Sequence, residues 1–213
     1  MAFPAAPPRP TVRPGLRRAR DGVTLCGVVD ESCLVGGREE RAIVLVAYDP
    51  TWPATFAEHR DRIREALGAR AVRVDHIGST AVRGLTAKPV IDIDLSVDDP
   101  DDEPAYLPDL VAAGYGLRVR EPGHRMVRTP GRDVHVHVCE RGGSWERRHL
   151  LFREWLRRDR DDRAAYTALK RDLAQRDWPD MNAYADAKAP LIGQITARAE
   201  RWARTTAWTP DEA

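Results

Sequence analysis

The sequence predicts an α/β fold of the α+β kind: a small mixed sheet with flanking helices and a helical C-terminal part. Three features point there. Residues 90–97 and 133–139 alternate between apolar and polar side chains, as half-buried strands do. Phe56, Ile63 and Leu67 recur at helical spacing ahead of a stop at Gly68. Beyond residue 145 the apolar positions again follow helical spacing. Residues 41–205 are expected to form one domain in which helices and sheet share a core.

Residues 1–20 are rich in Pro and Arg and have little to bury, so they read as a disordered tail. Residues 21–40 form an extension with short apolar runs around Gly36-Gly37, readable as a hairpin. Thr51 and Pro53 open the first helix as N-cap and first-turn proline. Residues 72–77 read as a strand that ends in a Gly78-Ser79 turn leading into a short helix or loop, and a second strand follows over 90–97. His76 is better read as a packed structural histidine, and Asp75 lies on the opposite strand face. Asp98 to Glu103 is a solvated acidic loop.

A short helix over 106–113 stops at Gly114. Strands over 116–120 and 125–128 flank a turn at Pro122-Gly123. Arg125 and Arg128 precede the His-x-His strand and could reach a phosphate, but each is better read as a surface residue. Residues 145–159 form a helix with a basic flank, and Asp161 or Asp162 caps the next one, whose buried stripe is Ala165, Leu169 and Leu173. Tyr166 and Lys170 lie beside that stripe. Pro190 opens the last helix, with Leu191, Ile195, Ala199 and Trp202 inward. Residues 206–213 form a tail.

With 42% hydrophobic and 31% charged residues the composition is that of a globular protein. A net charge of +1 gives no global field toward nucleic acid or membrane, so neither is expected as a partner. Three cysteines without zinc spacing fit reduced thiols. No apolar run reaches membrane-span length, and the first ten residues lack a signal core. A cytoplasmic location is expected. Oligomeric state is not readable.

The chemistry concentrates on two strands. Asp92 and Asp94 share one face of theirs, about 7 Å apart at Cα. Two carboxylates that close repel unless a cation sits between them, and hard oxygen donors suit Mg²⁺ or Mn²⁺. The Gly78-Ser79 turn offers backbone N–H groups and a hydroxyl to an anion. His135 and His137 share a face of the second strand, either as site residues or as satisfied polar residues; the site reading is preferred because two polar strand faces coincide.

The string His76-Ile-Gly-Ser-Thr-Ala-Val82, with Gly84-Leu85 and Lys88-Pro89-Val-Ile-Asp92, closely resembles the GrpB family, placed within the polymerase-beta nucleotidyltransferase superfamily. Val44 to Trp52, His135-Val-His137-Val, Leu150 to Arg153, and Tyr166, Lys170, Tyr184 and Lys188 extend the resemblance over roughly residues 43–203. It implies a metal-dependent enzyme that transfers a nucleotidyl group from a nucleoside triphosphate, ATP foremost, to a small-molecule acceptor. Asp92 and Asp94 would hold the metal and act with His137 and His135 in catalysis. Gly78, Ser79 and Thr80 would hold phosphates, and Lys88, Arg153, Lys170 and Lys188 would neutralise their charge. Each of Arg153, Lys170 and Lys188 has the equal alternative of lying on the surface along its apolar stem. Histidine stands where the superfamily usually has a third carboxylate. That departure, with the occurrence of family members fused to dephospho-CoA kinase, leaves a second reading: a nucleotide- or CoA-binding module without transfer chemistry.

Overall fold

The computed structural model describes residues 31–39 and 42–210. The predicted tail over 1–20 and half of the predicted hairpin lie outside them. Within 31–39 the chain makes a 3-10 turn, Glu31–Cys33, and an isolated bridge from Leu34 to Val119. No paired hairpin is present among these described residues.

Five strands form one mixed sheet: β1 (Arg73–Ile77), β2 (Ile91–Val97), β3 (Gly116–Glu121), β4 (His124–Arg128) and β5 (Val134–Glu140). Their spatial order is β1-β2-β5-β4-β3, with β2 and β5 parallel and every other pair antiparallel. The β2–β5 register sets Asp92 beside His135 and Asp94 beside His137. On β1, Asp75 is opposite Asp94, so it joins the same row.

One face of the sheet is apolar. Ile91, Ile93, Leu95 and Val97 of β2 and Val134, Val136 and Val138 of β5 pack with Trp52, Ile63 and Leu67 of α1 (Trp52–Leu67) and with Leu110 of α2 (Leu107–Ala112). Each such side chain contributes about 1.5–3 kcal/mol through burial. Thr51 precedes α1 as expected, but its hydroxyl and amide bind Asp49 rather than capping the helix.

The other face is polar and meets α3 (Ser144–Arg158). Glu146 accepts from Ser96, His149 meets Asp94, and Arg153 donates to Asp75 and to the carbonyl of His76. Positions 146, 149 and 153 share one helical face, so α3 is tied to the sheet by polar contacts. The C-terminal helices α4 (Arg160–Leu173), α5 (Met181–Asp186) and α6 (Ala189–Thr206) follow. They do not share the sheet's apolar cluster. Leu156, Tyr166, Ile192 and Ile195 instead pack on Val82 and Leu85, from the segment between β1 and β2.

Two expectations on α4 are corrected. Asp159 caps it, accepting from the amide of Asp162 at 2.8 Å, while Asp162 is buried on Trp155 and Arg198. The inward face carries Asp162, Tyr166, Lys170 and Leu173, with Ala165 exposed. The apolar stripe misled because two of the inward positions are an ion and a lysine with buried partners.

Candidate functional site

A cleft of about 950 Å³ opens between the polar end of the sheet and the C-terminal helices. Gly78, Ser79, Lys88, Asp92, His135, His137, Lys170 and Lys188 all line it. Eight of the predicted site residues therefore converge. Asp94, Thr80 and Arg153 are not among the lining residues.

The Gly78-Ser79 bend is built by conformation. Gly78 has φ 69° and ψ −166°, a region that glycine alone adopts without strain. A Cβ on it would stand 2.5 Å from Oδ2 of Asp92, so the missing side chain lets the bend lie against the acid. Only one 3-10 turn follows, Ser79–Ala81, so the short helix or loop expected there is a single turn. Thr80 is buried, with its hydroxyl on His76 Nε2 at 3.0 Å and on the Val90 carbonyl at 3.2 Å. It braces the bend and is not among the residues that line the cleft. His76 is structural as expected: it is buried, stacks on Phe56, and burial lowers its pKa to about 4.

The lysine end of the cleft is distinct. Lys170 is only 3% exposed and donates to Ser79 Oγ at 3.1 Å and to the Thr86 carbonyl. Burial, then repulsion from Lys188 and Lys88, brings its pKa down to about 7. Lys88 and Lys188 stand over the ring of Tyr184 at 5.3 and 4.8 Å. Three ammonium groups facing one wall favour an anion. Arg153, by contrast, is spent on Asp75 and the His76 carbonyl.

The two acids of β2 differ sharply. Asp92 has a side chain 31% exposed, with His135 Nδ1 3.6 Å and His137 Nε2 3.9 Å from its Oδ1. Burial pushes its pKa up, but the two imidazoles outweigh this and hold it well below the carboxylate range. For His137 the balance runs the other way: burial lowers its pKa and Asp92 raises it further, for a net rise. Asp94 is 0% exposed, and His149 Nδ1 lies 3.0–3.1 Å from both its oxygens. The donors present do not fit a two-carboxylate Mg²⁺ site, because Asp94 is closed off behind His149.

His149, Glu121, His124 and Trp145 were not read from the sequence as site residues. Glu121 Oε2 lies 2.9 Å from His124 Nδ1, and His124 Nε2 lies 3.1 Å from His137 Nδ1. Trp145 stacks on His124 with centroids 4.0 Å apart. The available signal was register. Glu121 and His124 bracket the β3–β4 turn, which the antiparallel β4–β5 pairing brings against Cys139 and His137. Trp145 and His149 are four apart on the helix that crosses that strand.

The family model described as GrpB protein matches residues 42–198. The chain belongs to the GrpB family. A UPF0157 protein of Streptomyces coelicolor is 56% identical over 166 residues, covering 78% of this chain and 89% of that protein. A solved structure, the conserved protein GrpB from Enterococcus faecalis, matches with TM-score 0.66 and 29% identity, over 75% of this chain and 99% of that one. A dephospho-CoA kinase of Mycolicibacterium paratuberculosis is 35% identical, but the match spans 78% of this chain and only 48% of the kinase. Among the described residues of this GrpB protein, no helix is long and apolar enough to cross a membrane.

Proposed function

We propose that this GrpB protein is a nucleotidyltransferase-type enzyme whose cleft takes a nucleoside triphosphate, ATP foremost, and passes its nucleotidyl group to a small-molecule acceptor. The supporting observation is the make-up of one cleft: Ser79, Lys88, Lys170 and Lys188 line it together with Asp92, His135 and His137, and the Gly78-Ser79 bend touches both Lys170 and Asp92. In this reading the acceptor oxygen bonds to the α-phosphorus as the bond to the bridging oxygen breaks. Pyrophosphate leaves toward the lysines, and the acceptor's proton passes to His135 or His137. Catalysis by such groups is electrostatic and positional. The volume suits a triphosphate, since ligand pockets run to roughly 300–1,000 Å³.

Pyrophosphate release across a panel of triphosphates and hydroxyl- or amine-bearing metabolites tests this reading. Release that Lys170→Met and Asp92→Asn both abolish supports it. A second reading, a nucleotide- or CoA-binding module without turnover, is favoured by the dephospho-CoA kinase relatives. Thermal stabilisation by CoA, with no pyrophosphate release from any triphosphate, would select it.

A further inference from the structure

We propose that Asp92, His135 and His137 form a site for a divalent transition-metal ion of the Zn²⁺ and Co²⁺ class. The proposal deepens the transferase reading, on which it rests for the ion's task; the binding itself rests only on the donors. The first observation is the donor set. Oδ1 of Asp92 has two imidazole nitrogens around it, at 3.6 and 3.9 Å, and all three side chains line the cleft. Two imidazoles and one carboxylate suit borderline ions, whereas Mg²⁺ favours oxygen donors. The second carboxylate that would tip the balance toward Mg²⁺ is committed to His149.

The second observation is the support behind His137. Glu121 accepts from His124 Nδ1–H at 2.9 Å, which leaves His124 Nε2 as the acceptor for His137 Nδ1–H at 3.1 Å. That order of donors places the lone pair of His137 on Nε2, the nitrogen facing Asp92. An acceptor on the far nitrogen, here His124 backed by Glu121, is how metal-binding histidines are oriented. Trp145, stacked on His124, fixes the plane of the relay.

No three such groups among the described residues are already placed to hold an ion. Measured from Oδ1 of Asp92, the adjustment is small. Ligand atoms around a tetrahedral ion with bonds of ~2.1 Å lie about 3.4 Å apart, so each nitrogen must approach Asp92 by a few tenths of an ångström. A fourth position would face the cleft, open to a water or to the acceptor hydroxyl. An ion there lowers the pKa of the bound oxygen and so generates the nucleophile.

Calorimetry and Co²⁺ absorption on the full chain, without nucleotide, test the site. One equivalent of Zn²⁺ or Co²⁺ should bind, with the strong visible band of four-coordinate Co²⁺, and Mg²⁺ at the same concentration should not displace it. Asp92→Asn and the double variant His135→Ala with His137→Ala should lose the band, with folding checked by circular dichroism. Should those variants fail to fold, Glu121→Gln, two hydrogen bonds removed from His137, should weaken Co²⁺ by up to about 10-fold. Mg²⁺ binding in preference to both ions, or Zn²⁺ and Co²⁺ binding unchanged in the folded variants, overturns the proposal. Metal binding without pyrophosphate release from any triphosphate would sink the transferase reading alone; release with Mg²⁺ and no Co²⁺ site would sink this one alone.

Discussion

Gly78→Ala puts the bend itself on trial. Two costs add at this position. The backbone at φ 69°, ψ −166° is reserved for glycine and costs a side chain roughly 1–3 kcal/mol. The new methyl would also meet Oδ2, Cβ and Cγ of Asp92 at 2.5, 3.0 and 3.1 Å. Because three atoms of one acid are met, rotating its carboxylate does not clear the contact, and overpacking of this kind adds about 1–3 kcal/mol. The expected loss of unfolding free energy is therefore about 2–6 kcal/mol. Gly84→Ala is the matched control: it too has positive φ, at 81°, but nothing lies within 4 Å of its Cβ position. Its loss should be about 1–2 kcal/mol. Urea denaturation of both variants measures the difference. In folded Gly78→Ala protein, Asp92 should also be displaced, reducing any pyrophosphate release. Equal losses in the two variants would refute the claim that this glycine exists to let the bend approach the acid.

Four further outcomes are expected. His76, neutral in the fold with a pKa of about 4, binds its proton more readily when unfolded, so stability should fall as pH drops from about 6.5 to 4, by ~3 kcal/mol at most. In His76→Phe, measured by urea denaturation across that range, the slope should shrink. Lys170 has the same sign of effect at higher pH: between about 7 and 10.5 the unfolded chain holds the extra proton, so stability rises with pH by up to ~5 kcal/mol, and Lys170→Met should remove that rise. His149→Ala should cost about 3–5 kcal/mol by leaving Asp94 buried without its partner, and Asp94→Asn in the same background should recover much of it. Arg153→Met should lower stability without moving the affinity of the folded protein for ATP, measured by calorimetry, because its guanidinium serves Asp75 and a carbonyl.

The strands of the site were legible because a two-residue period is unambiguous when both faces have a fixed fate. Ile91, Ile93 and Leu95 had to face the core, and Asp92 and Asp94 then had no choice of side. What alternation does not encode is which neighbour covers each polar residue. Asp75, set aside because it faces away from His76, belongs to the row of Asp94 and His137. The α4 stripe failed for a related reason. Lys170 is a charged residue by composition, yet Ser79 and the Thr86 carbonyl satisfy its ammonium group at the floor of the cleft. Helical periodicity in apolar residues cannot register an inward lysine.

The two acids of β2 look equivalent in the sequence and are opposite in the fold. The distinction comes from α3, which lays His149 across Asp94 and Arg153 across Asp75, while Asp92 meets His135 and His137 of β5 instead. Each buried acid thus receives a partner, as a buried charge must. Asp92 differs because its company, His135 and His137, lines open space. Exposed to the cleft and held ionised by two imidazoles, Asp92 is the one of the two acids that a ligand in the cleft can reach.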